Sequence, residues 1–371
     1  MEKPRALIAM SGGVDSSAAA ALMCSRGYEC VGVTMKLYDA EQTDSSRLKA
    51  CCTLEDAEDA RSVAYRLGMQ YYVFNFKEDF REQVIGRFVD AYERGETPNP
   101  CIDCNRYMKF EKLYQRARVL GYDTIVTGHY ARIAYDETSG RWLLKKGRNA
   151  AKDQSYVLYA MTQEELAHTQ FPLGEFESKD EVRKLAASYG FINAEKHDSQ
   201  DICFVPDGDY AAFIERYTGK QYPHGNFIDE SGRVLGEHQG LIRYTIGQRR
   251  GLGIAAGKPV YVCRKSVADN TVTLSDSASL FSTRLTARDF NWIAFASRRS
   301  TPFVWRQSHG IVPRKRRHGR GASGRHRHHH LRSAPACLTT GQAVVLYDGD
   351  TVIGGGTIAN DLSGNRIFSR T

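Results

Sequence analysis

The sequence predicts a doubly wound α/β domain followed by two small β domains, the last a β-barrel. Short apolar runs alternate with segments of helical periodicity through the first half, and glycines close those helices. Beyond about Tyr217 the pattern changes to short alternating runs separated by turn residues. The expected boundaries are 1–207, 208–278 and 279–371, with no internal repeat.

Ala6 to Met10 suits a buried parallel strand, and the alanine-rich segment from Ala18 to Met23 suits the helix that follows it. Thr53 can cap a helix with Leu54, Ala57, Ala64 and Leu67 at roughly helical spacing, closed by Gly68 before a strand from Tyr71 to Phe76. A helix over about Glu78 to Arg94 leads to a loop from Gly95 to Cys104. The next helix carries Phe110, Leu113, Ala117 and Leu120 on one side, stops at Gly121 and precedes a strand at Thr124–Thr127. Ser178 and Glu181 form a capping box for a helix ending near Gly190. In the β region Val260 to Arg264 and Thr271 to Leu274 are joined through Ala268-Asp269-Asn270, and Val344 to Tyr347 turns at Asp348-Gly349-Asp350.

A chain of 371 residues with 42% hydrophobic content buries two or three cores, and it contains no apolar stretch of the length that spans a membrane. The segment MEKPRALIAM carries no signal-peptide pattern, and nine cysteines without a regular framework point to the reducing cytoplasm. The net charge of +8 suggests a nucleic-acid partner until it is located. Pro313 to Arg332 holds eight Lys or Arg and no acid, and without them basic residues only equal the 43 acidic ones.

SGGVDSS, residues 11–17, sits at a strand-to-helix turn, where backbone N–H groups and the helix dipole favour an anion. Gly12 and Gly13 let the backbone approach a ligand, and Ser11, Ser16 and Ser17 add hydroxyl donors. Asp15 would repel phosphate unless Mg2+ lay between them. The plainer reading is a glycine turn with Asp15 or Ser16 as helix N-cap. The stretch is neither a Walker A loop nor GxGxxG. It resembles the PP-loop of ATP pyrophosphatases, which implies an adenine nucleotide hydrolase-like fold and cleavage of ATP to AMP and pyrophosphate.

The second informative stretch is Pro98 to Asn105. Its prolines stiffen a loop that would deliver Cys104 to the start of a helix beginning near Asn105, where the dipole favours a thiolate. Cys101 and Cys104 are also half a zinc site, but no second CxxC or close His/Cys pair follows. Cys203 is isolated in the polar loop DSQDICF. Cys24 and Cys30 read as buried and inert, as does Cys51-Cys52, and His129 reads as structural. YTIGQRRGLG reads equally as a turn with exposed arginines or as a contact to RNA.

SGGVDSS, TPNPCIDCNRYMKF, TGHYAR, KDQSYVL, DSQDICF and YTIGQRRGLG occur in the order found in the tRNA-specific 2-thiouridylase family, which the chain resembles from about Arg5 to Leu274 and again from Thr340 to Gly356. The resemblance implies thiolation of C2 of the wobble uridine in tRNAs for Lys, Glu and Gln, with ATP and Mg2+. It places the nucleophile on Cys104 and the persulfide on Cys203. ATP contacts fall on Ala9, Met10, Ser11, Gly12, Gly13, Val14, Asp15 and Ser16, on Met35 after the second strand and on Gly128. Asn99, Pro100 and Cys101 take the target base, and Lys152, Asp153 and Gln154 contact tRNA. The sulfur donor would be a sulfur-relay protein or a cysteine desulfurase.

This chemistry expects adenylation of the C2 oxygen, then sulfur transfer from the persulfide, a residual Cys104–Cys203 disulfide, and a flipped uridine. Two departures matter. Many family members carry an acid at the position of Cys101, so Cys101, Cys104 and Cys203 offer an alternative iron-sulfur ligand set. From about Arg298 to Ala336 the barrel pattern vanishes into KRRHGRGASGRHRHHHLR and then resumes. A reading-frame slip suits that abrupt loss and recovery better than a basic RNA-binding insertion or a His-rich metal tract. An amidating PP-loop synthetase is the rival enzyme, but it has no use for Cys104 and Cys203. A non-catalytic RNA-binding or metal-storing protein would not need SGGVDSS.

Overall fold

A computed structural model of the chain describes residues 3–38, 54–196, 202–276, 284–296, 308–309, 339–359 and 366–369. Thr53, Cys51-Cys52, Asp198 to Asp201 and, apart from 308–309, the irregular run lie outside these residues.

The first half builds the parallel sheet. Strands β1 (Arg5–Ala9) and β2 (Glu29–Lys36) flank helix α1 (Val14–Ser25), and α2 (Leu54–Arg66) leads into β3 (Gln70–Asn75). Next come α3 (Lys77–Phe80) and α4 (Arg87–Glu93), joined by a π-helical stretch over Arg81–Gly86. Helix α5 (Pro100–Asp103) runs through a second π-helical stretch (Cys104–Lys112) into α6 (Leu113–Val119). Strand β4 (Thr124–Val126) and the hairpin β5 (Ala131–Asp136) and β6 (Arg141–Lys146) follow, then α7 (Gln163–Ala167), β7 (Thr169–Gln170), α8 (Lys179–Ser188) and α9 (Tyr210–Thr218).

The sheet order is β3-β2-β1-β4-β7, and every pairing is parallel. The chain leaves β1 toward β2 on one side and later returns to β4 on the other. The crevice beyond the carboxyl end of β1 is therefore the topological switch point, where open α/β sheets bind ligands.

Alternation along the strands gives the sheet two apolar faces. Leu7, Val31, Val33 and Ile125 point into a cluster with Phe80, Phe88, Phe110 and Phe204. Ala6, Ile8 and Val126 point to the other side, where Ala18 to Ala21 let α1 lie close beside Val63, Val182 and Phe191. Phe204 is almost fully buried and its ring packs edge-on against Phe80 and Phe88. Truncating such a side chain costs about 3–5 kcal/mol. The segment carrying Cys203 is thus anchored by its neighbour.

The second half forms two more sheets. Strands β8 (Gly225–Ile228), β9 (Val234–His238), β10 (Tyr261–Ser266) and β11 (Thr271–Ser275) pair in the order β10-β11-β8-β9 around Phe227, Val262, Val272 and Leu274. The last sheet contains β12 (Arg284–Trp292), β13 (Ser308–His309), β14 (Ala343–Asp348), β15 (Thr351–Ala359) and β16 (Arg366–Ser369), in the order β13-β14-β15-β12-β16. The β5–β6 hairpin joins this sheet through Lys145 opposite Thr351. Arg132 and Lys145 both pair with Asp350 there. The first half is therefore joined to the last sheet by backbone pairing as well as by ions.

Candidate active site

The glycine-rich loop leaves β1 at Ala9 and Met10. Gly12 has φ +72°, and a Cβ there would lie 2.3 Å from the Asp56 carbonyl oxygen, so no other residue fits without moving the start of α2. Gly13 is the N-cap of α1, and no side chain caps this helix. Neither Asp15 nor Ser16 takes that role, which leaves the first-turn N–H groups for an anion. The serines brace the turn from within. Ser16 Oγ accepts from the Ser11 N–H at 3.2 Å and donates to the Gly13 carbonyl at 3.0 Å, while Ser17 Oγ donates to the same carbonyl at 3.1 Å. Buried Asn193 donates to both the Gly12 carbonyl and Ser17 Oγ at 2.9 Å.

Asp15 is held by two groups from distant elements. The Tyr130 hydroxyl donates to Oδ1 at 2.7 Å, and Lys179 Nζ donates to Oδ2 at 2.6 Å. Lys179 is the first residue of α8, and the positive end of a helix dipole disfavours a cation there. The Asp15 carboxylate offsets that cost. Lys179 and Asn193 were not singled out from the sequence: Lys179 was visible only as a member of the capping box, whose Ser178 does accept from the Glu181 N–H. Its dipole-opposed charge was the available signal; Asn193 offered none.

Met35 and Gly128 lie at the carboxyl ends of β2 and β4. Met35 is a buried residue of β2 itself, not one that follows it. Gly128 follows β4, and a Cβ on it would lie 2.8 Å from the Ser16 nitrogen. Next to it, buried His129 has its pKa pushed well below the usual range by burial and then by Lys109. Its Nδ1 lies 2.5 Å from Thr127 Oγ1 and its Nε2 3.5 Å from Lys109 Nζ, the contacts of a neutral structural imidazole.

The cysteine loop differs from expectation. The helix starts at Pro100, not near Asn105, because Asn99 is its N-cap, accepting from the Cys101 N–H at 3.1 Å, and proline fits the first helical position. Cys104 therefore lies one turn inside the helix, away from the end where the dipole acts, and the proposed dipole activation of its thiol does not apply. Exposed Cys101 occupies the first turn instead. Cys104 and Cys203 are both half-buried, and both pack on the cluster that contains Phe80, Phe88 and Phe110. The Tyr38 hydroxyl, just past the carboxyl end of β2, donates to the Cys203 carbonyl at 2.7 Å. This places the Cys203 loop at the same end of the sheet as the glycine-rich loop.

Asp153 and Gln154 are committed to the fold. Asp153 Oδ1 accepts from the Gly147 and Ser155 N–H groups at 3.0 and 3.1 Å, and Gln154 Oε1 accepts from the Tyr130 N–H at 2.9 Å. Lys152 and Gln154 are both exposed, and Asp153 is half-buried. In YTIGQRRGLG, Gln248 closes a turn and Arg249 and Arg250 are exposed. Cys24 and Cys30 are half-buried, not buried; the Cys30 thiol donates to the Tyr28 carbonyl at 3.7 Å, and the neighbouring Cys24 and then burial push it up.

The donor set fits Mg2+ but not a cluster. Each Asp15 oxygen makes one hydrogen bond and keeps capacity for another contact, and Mg2+ bound to a nucleotide requires only one or two carboxylates. Among the described residues, no three His, Cys, Asp or Glu side chains are gathered as metal ligands. Cys101, Cys104 and Cys203 are thus not assembled to hold an iron-sulfur group. No described helix is long and apolar enough to cross a membrane.

Three family models match in succession: a tRNA methyl transferase HUP domain over residues 4–207, a tRNA methyl transferase PRC-barrel domain over 211–276 and an aminomethyltransferase beta-barrel domain over 282–358. The chain is similar to the tRNA-specific 2-thiouridylase MnmA of Acetivibrio thermocellus, with 44% identity across 96% of this chain and 100% of that protein. It is similar to that of Clostridioides difficile, at 44% across 96% and 99%. The protein of the same name from Geotalea uraniireducens is 46% identical across 96% and 95%. With a glycine-rich loop at the switch point, Cys203 held beside the carboxyl end of β2 and similarity along nearly its whole length, this chain belongs to the tRNA-specific 2-thiouridylase family.

Proposed function

We propose that the protein thiolates C2 of the wobble uridine in tRNAs for Lys, Glu and Gln, in an adenylation step followed by a sulfur-transfer step. The carrying observation is the Cys203 loop held by Tyr38 at the carboxyl end of β2, with Cys104 and Cys203 packed on the same apolar cluster. The reducing cytoplasm is the setting in which such thiols work.

In the first step the uridine C2 oxygen attacks the α-phosphate of ATP, and pyrophosphate leaves toward the first turn of α1. Lys179 moves from Asp15 onto the departing phosphates, supplying the cation that the loop itself lacks. Mg2+ beside Asp15 would screen the remaining charge. Asn99, Pro100 and Cys101 border the extruded base, and exposed Lys152 meets a phosphate of the tRNA.

In the second step the outer sulfur of a Cys203 persulfide forms a bond to C2, and AMP leaves with the former C2 oxygen. The Cys104 thiolate attacks the inner Cys203 sulfur, so the S–S bond of the persulfide is exchanged for a Cys104–Cys203 disulfide. An external dithiol, itself oxidised to a disulfide, supplies the two electrons that restore both cysteines. A sulfur-relay protein or a cysteine desulfurase reloads Cys203.

Incubation with ATP, Mg2+ and unmodified tRNA tests the first step. Release of AMP and pyrophosphate is expected; release of ADP and phosphate would sink it.

A further inference from the structure

We propose that the last β sheet belongs to the catalytic machinery, with Arg288 and Gln342 as positioning residues that fix segment Glu96–Asn99 and, through it, the helix bearing Cys101 and Cys104. This rests on the reading of Cys104 as a participant in sulfur transfer.

The segment between α4 and α5 is held by the last sheet at Glu96 and Thr97. Arg288 Nη1 and Nη2 each lie 2.9 Å from a different oxygen of Glu96, forming a bidentate pair on a carboxylate that is only 9% exposed. Burial separates this pair from surface ion pairs of small worth. The Thr97 N–H donates to the Thr340 carbonyl at 2.9 Å, and Gln342 Nε2 donates to the Thr97 carbonyl at 2.8 Å. Burial pushes the half-buried Tyr156 phenol up, against the opposing pull of the neighbouring Asn99 side chain and Ala343 backbone. Gly341 lies so close that a Cβ would be 2.8 Å from Glu96 Cβ.

The aim of Arg288 is set by a local irregularity. The β12–β15 register shifts between Arg288 and Asn291, and Asp289 adopts φ +51° within the shift. Bulges of this kind redirect a side chain. Asn99, at the end of the grasped segment, accepts from the Cys101 N–H and begins the helix, with Cys104 one turn further on. A displaced segment therefore misplaces the thiol while leaving the nucleotide crevice untouched.

The test is single-turnover thiolation by the full-length protein carrying a Cys203 persulfide, at saturating ATP and tRNA, with Arg288→Ala, Gln342→Ala and the charge exchange Arg288→Glu/Glu96→Arg. We expect Arg288→Ala to lower the rate about 10- to 100-fold, the scale set by small misplacement of a reacting group. ATP and tRNA affinities should be unchanged, Cys104 alkylation by iodoacetamide altered and Cys203 alkylation unaltered. The charge exchange should recover part of the rate. If Arg288→Ala does not fold, Gln342→Ala, which removes one hydrogen bond, decides by the same readouts. An unchanged rate, or a loss matched by weaker tRNA binding, overturns the proposal. Cys104→Ser is the control: full activity in that variant removes the underlying role of Cys104, whereas an inactive Cys104→Ser beside an unaffected Arg288→Ala removes the positioning role alone.

Discussion

The Lys179 ammonium lies 2.6 Å from the Asp15 carboxylate, joining the first residue of α8 to the glycine-rich loop across 164 residues of sequence. Each group is poorly placed alone, a cation at a helix N-terminus and an anion at an anion site. Together they are neutral until polyphosphate arrives. Lys179→Met should therefore lower pyrophosphate release by about 10²-fold, the scale for removing one charge-stabilising donor from a reacting centre. Equal release by the variant and the parent, measured with saturating tRNA, would contradict that role.

Asp15→Asn keeps the shape of the side chain but removes the charge that Lys179 and Mg2+ share. Pyrophosphate release should fall, and tRNA retention in filter binding should not, because the proposed tRNA contact, Lys152, lies outside the glycine-rich loop. Parallel loss of both would place Asp15 in RNA binding instead.

Cys104→Ser and Cys203→Ser should each abolish 2-thiouridine formation while preserving ATP and tRNA binding. Persulfide loading separates them: Cys203→Ser should accept no sulfur from the donor, and Cys104→Ser should still accept it. Cys24→Ser should leave loading and thiolation intact, since its partner is Cys30. Loading on Cys104 in the Cys203→Ser variant would reverse the two assignments.

Burial raises the Asp103 carboxyl to about 6, against the opposing pull of Arg87 and then Arg106. A carboxyl raised on folding favours the folded state when protonated, so its contribution is full below the unfolded carboxylate range and is lost as pH rises through about 6. Asp103→Asn should raise the unfolding midpoint at pH 7 and flatten its dependence between pH 4 and 7. A lowered midpoint at pH 7 would mean that the Arg87 contact, at 3.7 Å, outweighs desolvation.

The glycine-rich turn was legible because its signals are local. A buried run, a glycine turn and an alanine-rich helix fix β1, the loop and α1 with no distant information. The cysteine helix was misplaced by five residues although its start signal was present: Asn99-Pro100 is a cap followed by the residue suited to the first turn. Long-range pairing was not readable. Nothing near Lys145 says that it will lie opposite Thr351, and nothing near Glu96 names Arg288 as its partner. Lys179 stood in plain view as part of a capping box, but its aim at Asp15 depends on how α8 packs against α1.

The most direct test is a single turnover of persulfide-loaded protein with unmodified tRNA, ATP and Mg2+, followed by peptide and nucleoside mass spectrometry under non-reducing conditions. Equal amounts of 2-thiouridine and AMP, with Cys104 and Cys203 recovered as one disulfide-linked peptide pair, are expected. Thiolated tRNA together with two free thiols at those positions would contradict the account.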